Sequence, residues 1–441
     1  MSTTNENTPT YLPGHHPRAR LMRIDSASIF KRLYLLERCL IISQAGWLPG
    51  IASFRAKTTL PRHIWQDTQV AEDLRERVFE LRYPKRMLDI DDDAPLVEIF
   101  QQASHAPNPG AYLLLLAQVL KPALLIAYRD YVNQADDLTD GTIQRSLDLA
   151  ISEKTIQIRE LLELADEELG AHQQDKVTAN RWVAAFQSRL DEVGGLSLEK
   201  PKQSDTMMIL EDSRTFQLAE IPARDKTFAL CHYYWPDIID PTFAYGEGVN
   251  LQLRSAVSHL NEVWAVEVGG AILHAFADDL DWEFIRDAAR WTFDESRHVR
   301  MGFERLCTWG FEPGEMPLGS YIYDSAYGQD PIVRMGMLHY FETKNIGKKV
   351  TRAQAFAAYA DGMSQHDMEF DWADEAIHAN YGRHWHTVLR EQYPDRIPEM
   401  QQLHEYCDEL VAIEVAKATK TEKLQIKEIA NAMLAKTLLQ H

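Results

Sequence analysis

The amino-acid sequence predicts an all-α protein. Two observations carry that expectation: apolar residues recur at three- and four-residue intervals along most of the chain, and alternating β-branched runs are scarce. A third observation, a helical motif present twice at one spacing, points to what part of this architecture is for.

In chain order, helices are expected over residues 27–47, 61–82, 111–133, 142–170 and 175–192. A second set follows over 250–277, 282–308, 331–360, 366–390 and 396–437. Asp281 before Trp282 and Asp367 before Met368 read as helix starts, because a carboxylate there accepts from the free N–H groups of the first turn. Between the sets, residues 194–248 lose the periodicity and carry Pro201, Pro222, Pro236 and Pro241 with aromatic residues between them. That aromatic content is too high for a disordered linker, so the stretch reads as an ordered connection. The expected layout is an amino-terminal helical bundle at 1–193, the connection at 194–248, a second bundle at 249–395 and a carboxy-terminal helix at 396–441. That last helix repeats Leu403, Cys407, Leu410 and Ile413, and is expected to pack along a bundle or along a second copy in a homodimer.

Composition narrows the class. A chain of 441 residues with 45% hydrophobic and 25% charged residues has the make-up of a globular protein with a sizeable core. Its net charge of −20 argues against general affinity for nucleic acid or an anionic membrane, both of which reward a basic face. Cys39, Cys231, Cys307 and Cys407 are scattered without a CxxC pair, giving no sign of a disulfide framework or thiolate zinc site. Residues 1–20 are polar, with Pro9, Pro13 and Pro17, and do not read as a secretory leader. The apolar run Leu40–Trp47 is interrupted by Ser43, Gln44 and Gly46, and no stretch reads as a membrane span. A cytoplasmic protein is expected.

The run FDESRHVRMG at 293–302 places Glu295 and His298 three apart, on one helical face. One Glu-x-x-His carries little weight in a chain with 16 histidines and 66 acidic residues. Here it recurs as Glu375 and His378, 80 residues on, and each copy is preceded by an aspartate, Asp294 or Asp374. His259 and Glu262 lie upstream of the first copy at the distance that separates His339 and Glu342 from the second. HxxE followed by DExxH is thus duplicated with five positions in register. Two antiparallel helical hairpins related by a pseudo-twofold axis would bring Glu262, Glu295, Glu342, Glu375, His298 and His378 together inside a four-helix bundle. Four buried carboxylates without counter-charge are prohibitively costly, and two metal ions would supply it. Oxygen and imidazole ligands together suit iron or manganese. Glu267, five residues after Glu262, is the competing first-helix ligand, although the register favours Glu262. His259 and His339, one turn before Glu262 and Glu342, are either further ligands or partners standing behind the ligands.

This set resembles that of the ferritin-like di-iron carboxylate bundles: one Glu from each of two helices and Glu-x-x-His from each of two more. Asp294-Glu295-Ser296-Arg297-His298 is also similar to the DExRH motif of the di-iron oxygenases. The resemblance covers about residues 250–390 and implies a ferritin-like four-helix bundle holding two iron ions, with manganese or a mixed pair as variants. It implies that Asp294 and Asp374 orient the metal-bound histidines and that Arg297 stands behind the ligands. The second copy departs from it, with Ile377 where the first has Arg297.

The implied activity is that of an O2-dependent oxidase or monooxygenase acting on a small organic substrate, supplied by an external electron donor. Trp264, Phe293, Tyr340 and Phe341 are candidates for an apolar lining. Two other readings stand beside it: a non-enzymatic iron-binding or redox scaffold, and a tRNA hydroxylase, which the acidic charge disfavours. Zinc peptidase chemistry has no HExxH to rest on, and His366, His384 and His386 fall outside the repeat and read as surface or packing residues. The stretch from Pro61 to Arg82 is similar in character to helices of bacterial ferritin-like proteins. Where Glu-x-x-His would be expected, that half offers Asp67 to Val70 and Glu153 to Ile156, with Glu37 as the remnant of a first-helix ligand. The expectation is a second ferritin-like bundle that has lost its metal and serves as scaffold, dimer contact or wall of the substrate path.

Overall fold

The computed structural model describes residues 11–12, 18, 20–83, 88–170, 172–203 and 211–438. The polar stretch 1–20 falls almost wholly outside them, as do residues 204–210 of the connection.

The first half comprises α1 (Arg23–Trp47), α2 (Phe54–Glu80), α3 (Ala94–Gln102), α4 (Pro109–Leu115), a π-helical turn (Leu116–Leu120), α5 (Lys121–Gln134), α6 (Gly141–Leu169) and α7 (Gln173–Glu192). The second comprises β1 (Ala229–Leu230), α8 (Val249–Leu260), α9 (Val263–Phe276), α10 (Trp282–Thr308), β2 (Pro317–Leu318), α11 (Tyr321–Ser325), α12 (Pro331–Ala358), α13 (Gly362–Gln392), α14 (Met400–Ala416) and α15 (Lys420–Leu438). Apart from the parallel pairing of β1 with β2, the described residues are all-α.

Several boundaries differ from the sequence expectation, each for a local reason. Helix α2 starts at Phe54 rather than 61 because Ser53 Oγ accepts from Ala56 N at 3.1 Å, leaving Pro61 inside the helix. Helix α13 starts after Asp361, which accepts from Ser364 N at 3.0 Å, so Asp367 lies within a turn already formed. The helix expected over 250–277 is two helices, α8 and α9, parted at Asn261–Glu262. The Asn261 amide donates to Val257 O and Pro317 O and accepts from Gly319 N, which pins β2 into the break. The final helix is also two, and both pack within this chain: α14 against α11 and α12, α15 against α8.

Within Pro109–Gln134 an 18-residue window has mean hydropathy 1.8, so by length and composition alone this stretch could cross a membrane, contrary to the sequence reading. In the fold 78% of that window is buried, as the central rod of the first bundle. Its tyrosines tie it to α1: Tyr112 to Ser43 at 2.8 Å, Tyr128 to Glu37, and Tyr131 against Phe30 with ring centroids 4.5 Å apart.

The interior of that bundle holds charge. Lys154 Nζ lies 2.8 Å from Glu37 and 2.5 Å from Asp67, and Lys121 Nζ lies 2.6 Å from Asp67 and 2.8 Å from Gln157, all buried. Glu37 and Asp67, singled out from the sequence, both face this interior and are paired there with lysines. The remnant on α6 is corrected: the inward pair is Lys154 and Gln157, while Glu153 is only half-buried.

One apolar core runs through both bundles without a break. Helix α1 packs on α9 and α2 packs on α10. The first bundle thereby covers one side of the second, and α10 is brought so close to α8 that a Cβ at Gly302 would lie 2.2 Å from Leu260 N.

Candidate metal centre

Helices α8–α9, α10, α12 and α13 enclose the duplicated motif. Potential ligand atoms of Glu262, Glu295 and His298 lie within 4.8 Å of one another, as do those of Glu295, Glu342 and His378. Glu375 gathers with His298 and Asp371 in the same way. The six residues named from the repeat therefore meet in one space, with Glu295 common to both halves.

The imidazoles are held alike. His298 Nε2 lies 3.2 Å from Asp374 Oδ2, and His378 Nε2 lies 3.3 Å from Asp294 Oδ2. Each aspartate serves the histidine of the other hairpin, as a twofold arrangement requires. That leaves both Nδ1 atoms facing inward. His298 Nδ1 is 3.5 Å from Glu262 Oε2 and 3.6 Å from Glu295 Oε2, and His378 Nδ1 is 3.1 Å from Glu295 Oε1.

Arg297 explains why the second copy manages with Ile377. Its Nη2 donates to Asp294 at 2.5 Å and to Asp374 at 2.7 Å, so one guanidinium near the pseudo-axis serves both aspartates. The counterpart Ile377 points outward, 39% exposed. Replacing Arg297 by alanine leaves Arg290 on Asp294 at 2.6 Å but only 3.8 Å from Asp374. Loosening such a support costs about tenfold or more in metal affinity. The expected result is stronger loss of metal to a competing chelator than from wild type; equal retention would show that Arg290 suffices.

Glu267 is buried elsewhere, in ion pairs with Lys57 of α2 and with Arg224. His259 stays beside the cluster: its ligand atoms gather with those of Glu262 and Asp371, while Nδ1 accepts from Arg305 at 2.6 Å and Nε2 lies 3.1 Å from Asp371. His339 turns away to His404 at 2.9 Å. Trp264 and Phe341 line the cavity beside the cluster, whereas Phe293 lies in a different groove and Tyr340 packs on His404. His366 and His384 are exposed, and His386 bonds Pro398 O.

Two residues at the centre went unnamed in the sequence reading, Asp371 and Lys349. Lys349 Nζ lies 2.5 Å from Asp371 and 2.6 Å from Glu375, all three buried. Asp371, Glu375 and His378 are spaced i, i+4, i+7, a face that marks Asp371 as inward. The repeat hid it: the register partner of Asp371 is Trp291, which donates Nε1–H to Glu342 at 2.8 Å.

The electrostatics show a site short of positive charge. Burial, then the neighbouring Glu375 and Glu295, push the Glu342 carboxyl well above its usual range. Burial lifts Glu375 to about 7 despite Lys349. Burial would lower His378, but Asp294 and Glu295 raise it to about 9. Protons and one ammonium occupy the role that a cation would fill.

The decisive fit is in the atoms left over. Glu262 Oε2, Glu295 Oε1, His298 Nδ1, Glu342 Oε2, Glu375 Oε2 and His378 Nδ1 are all buried, and outside their own cluster none has a hydrogen-bond partner among the described residues. Buried polar atoms are nearly always satisfied, and each orphan costs about 1–3 kcal/mol. One such atom from each of six residues, converging, is the donor set of a candidate metal site.

The family described as "Protein of unknown function (DUF455)" matches residues 178–424, more than half of the chain. The chain belongs to this family. The DUF455 match spans α8 to α14 and so contains the whole cluster and the connection before it. No curated protein and no solved structure matches the chain.

Proposed function

We propose that the cluster is a di-metal centre of the iron or manganese type, and that the protein is an O2-dependent oxidase or monooxygenase for a small organic substrate. The observation that carries this is the convergence of six buried ligand atoms without partners outside their own cluster, described above. The first bundle supplies the comparison. There, Glu37 and Asp67 are neutralised by Lys154 and Lys121, charge for charge. In the second, Glu262, Glu295, Glu342, Glu375 and Asp371 face a single lysine, Lys349. The missing positive charge is what bound cations would bring.

Glu262, Glu295, Glu342, Glu375, His298 and His378 would hold the metals. Bound there, such ions supply the electrons and Lewis acidity for reducing dioxygen. Asp294 and Asp374 keep a proton on each Nε2, which fixes the tautomer that presents Nδ1 inward. Trp291 holds one oxygen of Glu342 and leaves the other free. Beside the cluster lies a cavity of about 350 Å³, large enough for a small organic molecule, with Glu262, Glu295, Glu342 and Glu375 in its wall. Trp264 and Phe341 give that wall an apolar part beside the carboxylates.

Lys349 favours a second reading, a metal-poor scaffold in which the ammonium replaces an ion as in the first bundle. Metal analysis of the purified protein decides: the proposal expects about two iron or manganese per chain, and O2 uptake when a reductant is added. One zinc per chain, or none of these metals, would overturn it.

A further inference from the structure

The cavity beside the cluster has two chemically opposite ends. Its floor is the carboxylate set; its mouth is basic, although the chain as a whole is strongly acidic. Arg254, Lys344, Lys348, Lys349 and Arg352 all line it. Three of these are already neutralised: Arg254 by Asp237 at 2.9 Å, Lys344 by Asp408 at 2.9 Å, and Lys349 by Asp371 and Glu375. Lys348 and Arg352 have no carboxylate partner among the described residues. Lys348 reaches only the Asn345 side-chain oxygen at 3.3 Å, and Arg352 lies over the Tyr245 ring at 5.9 Å.

The repeat shows that these cations are not a by-product of the bundle. At the register positions of Lys348 and Arg352, the first hairpin has Val268 and Ile272, both buried. Those lie on α9, which the first bundle covers through α1; the same face of α12 is left open and made basic. Both cations stand on the helix that carries Glu342, six and ten residues beyond it. At 1.5 Å of rise per residue they lie roughly 9 and 15 Å along the axis from that ligand. The wall between is aromatic, with Trp264, Phe341, Tyr245 and Tyr321.

We infer that the substrate carries an oxyanion, a phosphate ester or a carboxylate, at the end remote from the carboxylate cluster, and that Lys348 and Arg352 hold it there. This rests on the reading of the cavity as a substrate site. An ammonium and a guanidinium side by side are a recognition pair for such a group, and the aromatic wall suits a flat or apolar body between the oxyanion and the reacting end. The anion also keeps the substrate in one direction, since the acidic floor repels its charged end. The net charge of −20 favours a small molecule over a polynucleotide, which rewards an extended basic track.

The test is calorimetric titration of phenyl phosphate, benzoate and neutral phenol into the full-length protein as purified, and into the Lys348→Ala/Arg352→Ala variant. The expected result is that at least one anion binds wild type tenfold or more tighter than phenol does, and that the double variant loses this advantage while binding phenol as before. Which anion gains the more assigns phosphate or carboxylate. Phenol binding as tightly as both anions, no anion binding, or an unchanged double variant overturns the inference. Short RNA that binds through Lys348 and Arg352 where the aryl anions do not would overturn it in favour of a nucleic-acid substrate. Metal content measured on the same samples keeps the two conclusions apart. Protein without metal that still shows the anion preference defeats the di-metal reading alone; metal-loaded protein without it defeats this inference alone.

Discussion

The Glu295→Ala variant is expected to lose both metals and, with them, O2 consumption. Glu295 is the one carboxylate whose atoms gather with both histidine groups, with Glu262 and His298 on one side and Glu342 and His378 on the other. Both imidazoles hold its carboxyl well below the usual range against the effect of burial, so it stays an anion inside the fold. Glu262 and Glu342 each gather with only one histidine-and-Glu295 group. Glu262→Ala or Glu342→Ala is therefore expected to lower metal content to about half, whereas Glu295→Ala takes it close to zero. The measurement is metal per chain by elemental analysis, with helical content by circular dichroism to show that each variant is folded. Glu295→Gln, which keeps the volume but not the charge, guards against a packing effect and should lose metal likewise. A folded Glu295→Ala protein with wild-type metal content would place the ions elsewhere or deny them altogether.

The gradation among these variants follows from geometry that the sequence displayed only in part. The duplicated HxxE and DExxH runs announced Glu262, Glu295, His298, Glu342, Glu375 and His378, because a ligand set must repeat if two hairpins are to share it. What stayed hidden is what breaks the repeat. Asp371 stands opposite Trp291, and Lys349 opposite Gly269, where Thr292 approaches too closely to admit a side chain. Only the folded bundle shows that these departures put an extra carboxylate beside His298 and an ammonium between that carboxylate and Glu375. His259 and His339 likewise occupy equal places in the sequence, but one supports Asp371 and the other faces α14. A helix break is similarly illegible when its cause is distant: Asn261 ends α8 through bonds to Pro317 and Gly319, more than fifty residues away.

The first bundle balances its buried carboxylates with lysines, and it yields the largest expected effect on stability. Lys154 sits between Glu37 and Asp67, all three buried. Burial would lower its ammonium, but Asp67 and Glu37 raise it, while burial pulls Lys121 down to about 8. In the Lys154→Ala variant Glu37 keeps only the Tyr128 hydroxyl, and burial, which already raises its carboxyl, drives it toward the protonated form. Leaving a buried charge uncompensated costs about 3–5 kcal/mol, far more than truncating an exposed lysine. The expected result is a markedly lower midpoint in urea unfolding. Removing both ends, as Lys154→Met with Glu37→Leu, should recover part of the loss, because an apolar pair has nothing to leave unpaired. Metal content of folded Lys154→Ala protein should stay at the wild-type level, since Lys154 pairs only with Glu37 and Asp67 and does not touch the second cluster. A Lys154→Ala midpoint equal to wild type would mean that water reaches this interior, and that the two bundles differ in more than the source of their positive charge.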